Sequence, residues 1–253
     1  VVLTGISAME KELAERLGVE QVLIAPGDCD RDPNVKREMG RLAARAMLAV
    51  TDENDIIAVT GGSSLTAFVD EMPQFPERKA KMVLPARGSM GRRSELQAET
   101  LAIRLAGRLC AEYRMLHLPD SLSSAALVEL EHDPEIAETM QEMAKVSMLL
   151  FGIGRGLEMA KKRHMSERSY QQLEENHTVA EACGSYFNAA GEVVHVSRSI
   201  GIDFDEISRI EHIIAIAGGE SKADCICAVA ARMRRGILVM DEGAAKYILT
   251  KNK

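Results

Sequence analysis

The sequence Ile-Ile-Ala-Val-Thr-Gly-Gly-Ser-Ser-Leu at positions 56–65 gives the clearest indication of the fold. Its four leading apolar residues, which include β-branched side chains, predict a short strand buried inside a parallel sheet. Gly61 and Gly62 allow a tight turn, and the two serines after them are placed to cap a helix over Thr66–Glu71. Such a turn offers N–H groups, a positive helix end and two hydroxyls at one point. That combination favours an anion, most often phosphate, and an ordinary capped turn without a ligand is the alternative.

Length and composition indicate a folded protein and argue against several classes of function. With 253 residues, 46% of them apolar, the chain can bury a large core in one domain. The net charge of −7 argues against direct nucleic-acid binding, which requires a basic face. No apolar run approaches the roughly 20 residues of a membrane span, and no signal-peptide pattern opens the chain. The five cysteines lack paired spacing and are expected as reduced thiols in a cytoplasmic protein.

Strand and helix patterns alternate along most of the chain. Besides the strand at 56–59, predicted strands cover Gln21–Ala25, Lys81–Leu84, Tyr113–Leu118, Ser147–Phe151, His212–Ala217 and Ile237–Met240. Predicted helices cover Ser7–Leu17, Pro33–Val50, Ser94–Leu109, Ala125–Leu130, Pro134–Lys145, Ser166–Asn176, Ser221–Met233 and Ala244–Thr250, with one more from Gly156 to about Met165. Ala182–Phe187 and Glu192–Val196 flank Asn188–Gly191 and predict an inserted β-hairpin. Together these patterns predict one α/β domain with a mostly parallel sheet and helices on both faces.

Three predicted strand ends carry groups that attract anions. The candidate residues are Gly61, Gly62, Ser63, Ser64, Arg87, Gly88, Gln97, Gly219, Ser221 and Lys222. Ligands of parallel sheets bind beyond the carboxyl ends of the strands, so these groups are expected to converge at one edge. An arginine fork and a lysine charge there would bind the phosphate of a phosphorylated ligand. The alternative for Lys222 is a solvated lysine in a first helical turn, where the helix dipole makes a cation mildly unfavourable.

A glycine-rich turn and two charged positions are further candidates. Gly152 and Gly154 follow a predicted strand, but their spacing differs from the G-x-G-x-x-G pattern of nicotinamide-cofactor sites. We therefore expect a turn that lines the same edge of the sheet. Lys162 and Arg163 form either a solvated helix face or a second phosphate clamp. Glu181 is either a surface carboxylate or an acceptor for a sugar hydroxyl.

Catalytic and metal sites find little support in the sequence. Glu181, Asp241 and Glu242 are the credible candidates for a general base, and capping of the last helix is the default role of the latter two. No histidine pair has metal-ligand spacing, and the thiols of Cys225 and Cys227 point to different helix faces. A nucleophile elbow and a P-loop are both missing. We expect neither a metal nor a cofactor.

Six segments together resemble the effector-binding domain of the SorC family of bacterial sugar-responsive transcription regulators. They are Ala58–Leu65, Val83–Gly88, Ser147–Gly154, Glu181–His195, Ile214–Cys225 and Val239–Lys246. Their order matches that of the family, and they span essentially the whole chain. The resemblance implies a three-layer α/β/α, Rossmann-like domain, related to sugar-phosphate isomerases and deaminases but without their catalytic groups. It also implies a homodimer or homotetramer that binds DNA only through an N-terminal helix-turn-helix domain. That domain is expected to be missing here, because the chain opens on Val1 and has an acidic charge.

The resemblance further implies an effector and its contacts. A family member that controls glycolytic genes responds to fructose 1,6-bisphosphate. Carried over by motif, one phosphate would bind Gly62, Ser63, Ser64 and Lys222, further ligand oxygens would bind Arg87 and Gln97, and a hydroxyl would bind Glu181. Serines stand where threonines are expected, which keeps both hydroxyl donors. Lys162 and Arg163 compete for a place where the family pattern has an arginine, so the second phosphate contact stays open.

The leading hypothesis is a non-enzymatic sensor and repressor, in which a sugar phosphate shifts the population of an oligomer that positions the DNA-binding domains. An active sugar-phosphate isomerase or deaminase is the main alternative, and a nicotinamide-dependent enzyme is a third.

Overall fold

The computed structural model describes residues 2–88, 96–118, 124–130, 132–197 and 199–251. Its strands are β1 (Gln21–Ala25), β2 (Ile56–Val59), β3 (Met82–Pro85), β4 (Glu112–Tyr113), β5 (Met148–Gly152), β6 (Gly154–Arg155), β7 (Thr178–Ala182), β8 (Ser185–Asn188), β9 (Val193–Val196), β10 (His212–Ile216) and β11 (Ile237–Asp241). Its helices are α1 (Val2–Leu17), α2 (Val35–Val50), α3 (Ser63–Glu71), α4 (Ala98–Leu109), α5 (Ser124–Leu130), α6 (Pro134–Met143), α7 (Gly156–Lys162), α8 (Glu167–Glu175), α9 (Ala223–Met233) and α10 (Glu242–Lys251). Short 3₁₀ turns cover Phe204–Arg209 and Glu220–Lys222.

The main sheet has seven strands in the order β1-β11-β10-β5-β2-β3-β4, and every pair is parallel. Helices α2, α3 and α4 cover one face through side chains such as Met39 and Phe68. Helices α1, α9 and α10 cover the other face through side chains such as Leu13 and Val229. Because both faces are covered, all four residues of β2 are buried, as its continuous apolar sequence predicts. The predicted α/β class with a mostly parallel sheet is confirmed.

The predicted hairpin is present as β8 and β9, and it belongs to a second sheet of four antiparallel strands, β6-β7-β8-β9, of which the sequence predicted only these two. The predicted start of the first hairpin strand at Ala182 is wrong, because the chain reverses at Cys183 and Gly184 between β7 and β8, and this strand begins at Ser185. Both turn residues have positive φ, 46° and 78°, which is the geometry of a two-residue hairpin turn. Cysteine is an unusual residue for such a turn, so no sequence pattern indicated the reversal.

Several predicted bounds differ from the structure. The strand predicted over Tyr113–Leu118 is limited to β4, whose last ladder bond is donated by the Arg114 amide to the Val83 carbonyl. Helix α9 begins at Ala223 because a 3₁₀ turn occupies the three residues before it. The predicted helix start at positions 94 and 95 lies outside the described residues. Among the described residues, no helix combines the length and apolar character needed to cross a membrane.

Strand register brings the predicted turns together. Val59 at the end of β2 pairs with Pro85 of β3 on one side and with Leu150 of β5 on the other. The three strands therefore end close to the same level, and β10 lies next to β5. As a result, the loops after four neighbouring strands border one space.

Candidate functional site

A cavity of about 640 Å³ lies beyond the carboxyl ends of β10, β5, β2 and β3. The sequence-predicted residues that line it are Gly61, Gly62, Ser63, Ser64, Arg87, Gly88, Gln97, Gly152, Gly154, Lys162, Arg163, Glu181 and Lys222. Gly219 and Ser221 do not line it. Residues from separate strand ends thus meet at one edge, as a parallel topology requires.

The N-terminus of α3 presents amide groups to this cavity. The helix begins at Ser63, with Gly62 as the N-cap residue at a φ of 126°, and neither serine side chain caps it. The predicted capping role of the serines and the predicted helix start at Thr66 are therefore wrong, because both serines are already in the first helical turn. The first intrahelical bond runs from the Thr66 amide to the Gly62 carbonyl at 2.9 Å. The amides of Ser63, Ser64 and Leu65 form no hydrogen bond with a described residue, which leaves them as donors for an anion.

Close packing of two helix ends shapes the wall next to α3. The Gly62 amide donates to the Leu96 carbonyl at 2.9 Å, and a Cβ on Gly61 would collide with that same carbonyl oxygen. Gln97 is the N-cap residue of α4 and lines the cavity together with Ala98. The N-termini of α3 and α4, which carry the positive ends of the helix dipoles, therefore both lie at the cavity.

Lys222 enters the cavity from the loop after β10. Its ammonium donates a hydrogen bond to the Ile153 carbonyl at 2.9 Å. Burial lowers the pKa of Lys222, and the like charges of Lys36 and Lys162 add to that lowering. An anion placed beside this ammonium would restore the charged form.

In the turn that precedes Lys222, backbone amides already donate hydrogen bonds to carboxylates of the protein. The Ser221 amide donates to Asp30 Oδ2 at 2.9 Å, and the Gly219 amide donates to Asp241 Oδ2 at 2.8 Å. Ser221 lines a separate cavity of about 390 Å³ on the other side of the turn. The prediction that Gly219 and Ser221 face the same anion as α3 is therefore contradicted, because protein carboxylates occupy their amides.

The Arg87 guanidinium, which was predicted to bind a ligand, is hydrogen-bonded to other parts of the protein. It donates to Asp203 Oδ1 at 2.7 Å, to the Ser197 carbonyl at 2.6 Å and to the Cys183 carbonyl at 3.1 Å. Only 5% of the side chain is exposed. These bonds tie the end of β3 to the β7–β8 turn and to the loop before the 3₁₀ turn at Phe204–Arg209. A phosphate contact at Arg87 would require the guanidinium to exchange part of this set.

Glu181 and Arg163 form a buried ion pair at the cavity wall. Arg163 donates to Glu181 Oε1 at 3.0 Å and to the Tyr186 hydroxyl at 3.1 Å, and the two charged side chains are 5% and 6% exposed. Glu181 Oε1 also accepts the Gly184 amide at 2.8 Å. Lys162, by contrast, is exposed and forms no ion pair with a described residue. Of the two competing positions, Lys162 therefore offers the more accessible charge to a ligand.

Comparison with known proteins matches this architecture. Residues 2–250 match the Sugar-bind family model, which describes a sugar-binding domain. The central glycolytic genes regulator of Bacillus subtilis is 39% identical over 245 residues, covering 97% of this chain and 72% of that protein. A SorC family transcriptional regulator from Enterococcus faecalis has a crystal structure with a TM-score of 0.89 at 29% identity, covering 96% of this chain and 100% of that chain. The chain belongs to the SorC family of sugar-binding transcriptional regulators.

More distant members of the SorC family share the fold. The full-length sorbitol operon regulator SorC from Klebsiella pneumoniae has a TM-score of 0.87 at 19% identity, covering 97% of this chain and 81% of that chain. This likeness supports the Rossmann-like α/β class that the resemblance implied.

The cavity beyond the strand ends also contains residues that the sequence did not predict, among them Thr60, Met159, His164 and Cys183. The Thr60 hydroxyl accepts the Gly152 amide at 3.2 Å and so joins two of the glycine turns. Its place directly between β2 and the two glycines was a usable signal. Cys183 lines the cavity only because of the unpredicted turn after β7, and burial raises the pKa of its thiol above the ordinary range. The thiol is therefore protonated and a poor nucleophile.

Two of the three candidate bases of this SorC-family domain lie outside the cavity. Asp241 is fully buried, and besides the Gly219 amide it accepts the Ala244 amide at 3.0 Å, which confirms its default role as a cap of α10. Glu242 pairs with Lys246 at 2.6 Å, and this ion pair, together with the Gly27 amide, lowers the pKa of Glu242. No cluster of metal-ligating side chains occurs among the described residues.

Proposed function

We propose that this chain is the cytoplasmic effector-binding domain of a transcriptional repressor of glycolytic genes, and that its effector is fructose 1,6-bisphosphate. The single observation that carries the proposal is the N-terminus of α3, where three amides that have no acceptor among the described residues meet two serine hydroxyls in the cavity that Lys222 enters. A phosphate monoester satisfies such donors with several oxygens at once, which a neutral sugar cannot do.

A second phosphate fits the part of the cavity that the end of α7 lines. Lys162 and His164 come from the end of α7 and line the wall together with the ion-paired Arg163. The like charges on Lys162 and Lys222 repel each other, and a ligand with two phosphates relieves that repulsion. Glu181, whose Oε1 is already shared by two donors, would accept a sugar hydroxyl with its other oxygen.

Effector binding regulates the protein if it is thermodynamically coupled to a change in the oligomer. A ligand that contacts loops after four strands stabilises the arrangement in which those loops are close together. If that arrangement belongs to one state of a homodimer or homotetramer, the effector shifts the oligomer and relieves repression through the N-terminal DNA-binding domains. The name of the Bacillus subtilis relative supports glycolytic genes as the target.

Calorimetry and thermal melting test the proposal. Fructose 1,6-bisphosphate should bind and raise the melting temperature, fructose 6-phosphate should do so less, and fructose should have no effect. Absence of stabilisation by any sugar phosphate would contradict the proposal. Product formation from pentose phosphates or amino-sugar phosphates would instead support an isomerase or deaminase, for which Glu181 is the one carboxylate among the described cavity-lining residues.

A further inference from the structure

We propose that Asp30, which does not line the effector cavity, is a positioning residue whose carboxylate holds the 218–222 turn so that Lys222 extends into that cavity. The inference deepens the proposed function and rests on it only for the identity of the ligand.

Hydrogen bonds of the turn backbone connect Asp30 to Lys222. Asp30 Oδ2 accepts the Ser221 amide at 2.9 Å, and the Lys222 amide donates to the Gly219 carbonyl at 2.9 Å. The Lys222 ammonium then reaches the Ile153 carbonyl in the cavity wall at 2.9 Å. The orientation of the lysine is therefore set by a turn whose outer side is held by one carboxylate.

The backbone of the turn fits that carboxylate closely. Gly219 has a φ of 99°, and a Cβ on it would lie 2.5 Å from Asp30 Oδ1. Only glycine meets both conditions, because a side chain would be strained by the backbone angle and would displace the carboxylate. The contact between the turn and Asp30 therefore requires glycine at position 219.

A second, buried carboxylate connects this turn to the loop after β1. Asp241, on the neighbouring strand β11, accepts the Cys29 amide at 2.7 Å and the Gly219 amide at 2.8 Å. The loop after β1 and the loop after β10 thus share one acceptor. Asp30 is exposed on the far side of this connection and lines the smaller cavity together with Ser221. Because it is exposed, its replacement tests the turn without opening the core.

Charge and position predict opposite effects for Asp30. As a negative charge near Lys222, Asp30 by itself weakens the binding of an anionic ligand, so its removal should strengthen binding. As the residue that holds the turn, its removal should release Lys222 and weaken binding. The sign of the change therefore separates the two roles.

The first experiment measures the affinity for fructose 1,6-bisphosphate by calorimetry in three variants of the chain. Asp30→Ala should raise the dissociation constant roughly tenfold, because a charge-assisted bond that orients the lysine is lost. Asp30→Asn keeps an acceptor oxygen for the Ser221 amide and should restore most of the affinity. Asp224→Asn is the control: it removes the same charge from the start of α9, but its carboxylate pairs with Lys251 and accepts no hydrogen bond from the turn among the described residues. It should bind at least as tightly as the wild type. Tighter binding by Asp30→Ala would overturn the proposal.

The second experiment needs no ligand and follows the titration of the Lys222 side chain by NMR with ¹³C-labelled lysine. Release of the lysine to solvent in Asp30→Ala should raise its pKa toward the ordinary value, whereas loss of a nearby negative charge alone would lower it further. A lowered or unchanged pKa would overturn the positioning role even if the bisphosphate binds. If wild-type protein fails to bind the bisphosphate while the Lys222 pKa rises in Asp30→Ala, the effector assignment is wrong and the positioning role stands.

Discussion

Replacement of Lys222 by methionine removes the ammonium from the proposed phosphate site and keeps a side chain of similar shape. This ammonium donates a hydrogen bond to the Ile153 carbonyl at 2.9 Å, and burial lowers its pKa. The charged form is therefore disfavoured in the folded state without a ligand. We expect Lys222→Met to melt at the wild-type temperature or slightly above it.

The loss of affinity follows from the interaction that is removed. A hydrogen bond to a charged group contributes about 1.5–3 kcal/mol. The dissociation constant for fructose 1,6-bisphosphate should therefore rise by roughly 10- to 150-fold. Because Lys222 is partly buried, added salt should reduce this difference less than it would for a surface charge.

Isothermal titration calorimetry at fixed ionic strength measures this difference, with thermal melting in parallel. Lys246→Met is the matched control, because that lysine pairs with Glu242 at 2.6 Å and does not line the cavity. It should bind the bisphosphate like the wild type. If Lys222→Met melts normally and also binds like the wild type, the assignment of a phosphate to the α3 end of the cavity is refuted.

Four further predictions follow from other features of the structure. Binding should weaken as the pH rises, and at lower pH than an ordinary lysine would cause, because the lowered pKa makes Lys222 lose its proton earlier. Lys222→Arg should abolish this loss in calorimetry at several pH values. Lys162→Ala should weaken binding of the bisphosphate more than binding of fructose 6-phosphate, and equal losses for both ligands would exclude a second phosphate at this end. Gly40→Ala should lower the free energy of unfolding by about 1–3 kcal/mol in urea denaturation, since its Cβ would lie 2.5 Å from a backbone oxygen of α3. The control Gly107→Ala meets no atom within 4 Å and should instead stabilise the chain by about 0.5–1 kcal/mol. Arg163→Met should cost about 3 kcal/mol or more in the same assay, because it leaves a buried carboxylate without its partner, and a loss below 1 kcal/mol would argue against that pair.

Much of the fold could be predicted because its signals are local. The bounds of β1 agree with those predicted, and the seven-stranded parallel sheet follows from repeated strand, glycine turn and helix patterns. Each of these patterns is contained in a short window of sequence, so neighbouring residues are sufficient to detect it. The turn at Cys183 and Gly184 escaped prediction because its positive φ angles are stabilised by contacts with β7 and β8, not by a typical turn sequence.

Within the candidate site, sequence alone determined which loops carry groups that can bind an anion, since glycines and hydroxyls before a helix are recognisable wherever they occur. Only the tertiary structure decided which of those groups remain open. Ser221 and Ser63 follow similar glycine turns, yet Asp30, 191 positions away, accepts the Ser221 amide, whereas the Ser63 amide has no partner within the part of the chain that the structure describes. Likewise, Arg87 is bound by Asp203, 116 positions away. A free donor and an occupied donor have the same local sequence, because the acceptor arrives from a distant part of the chain through folding.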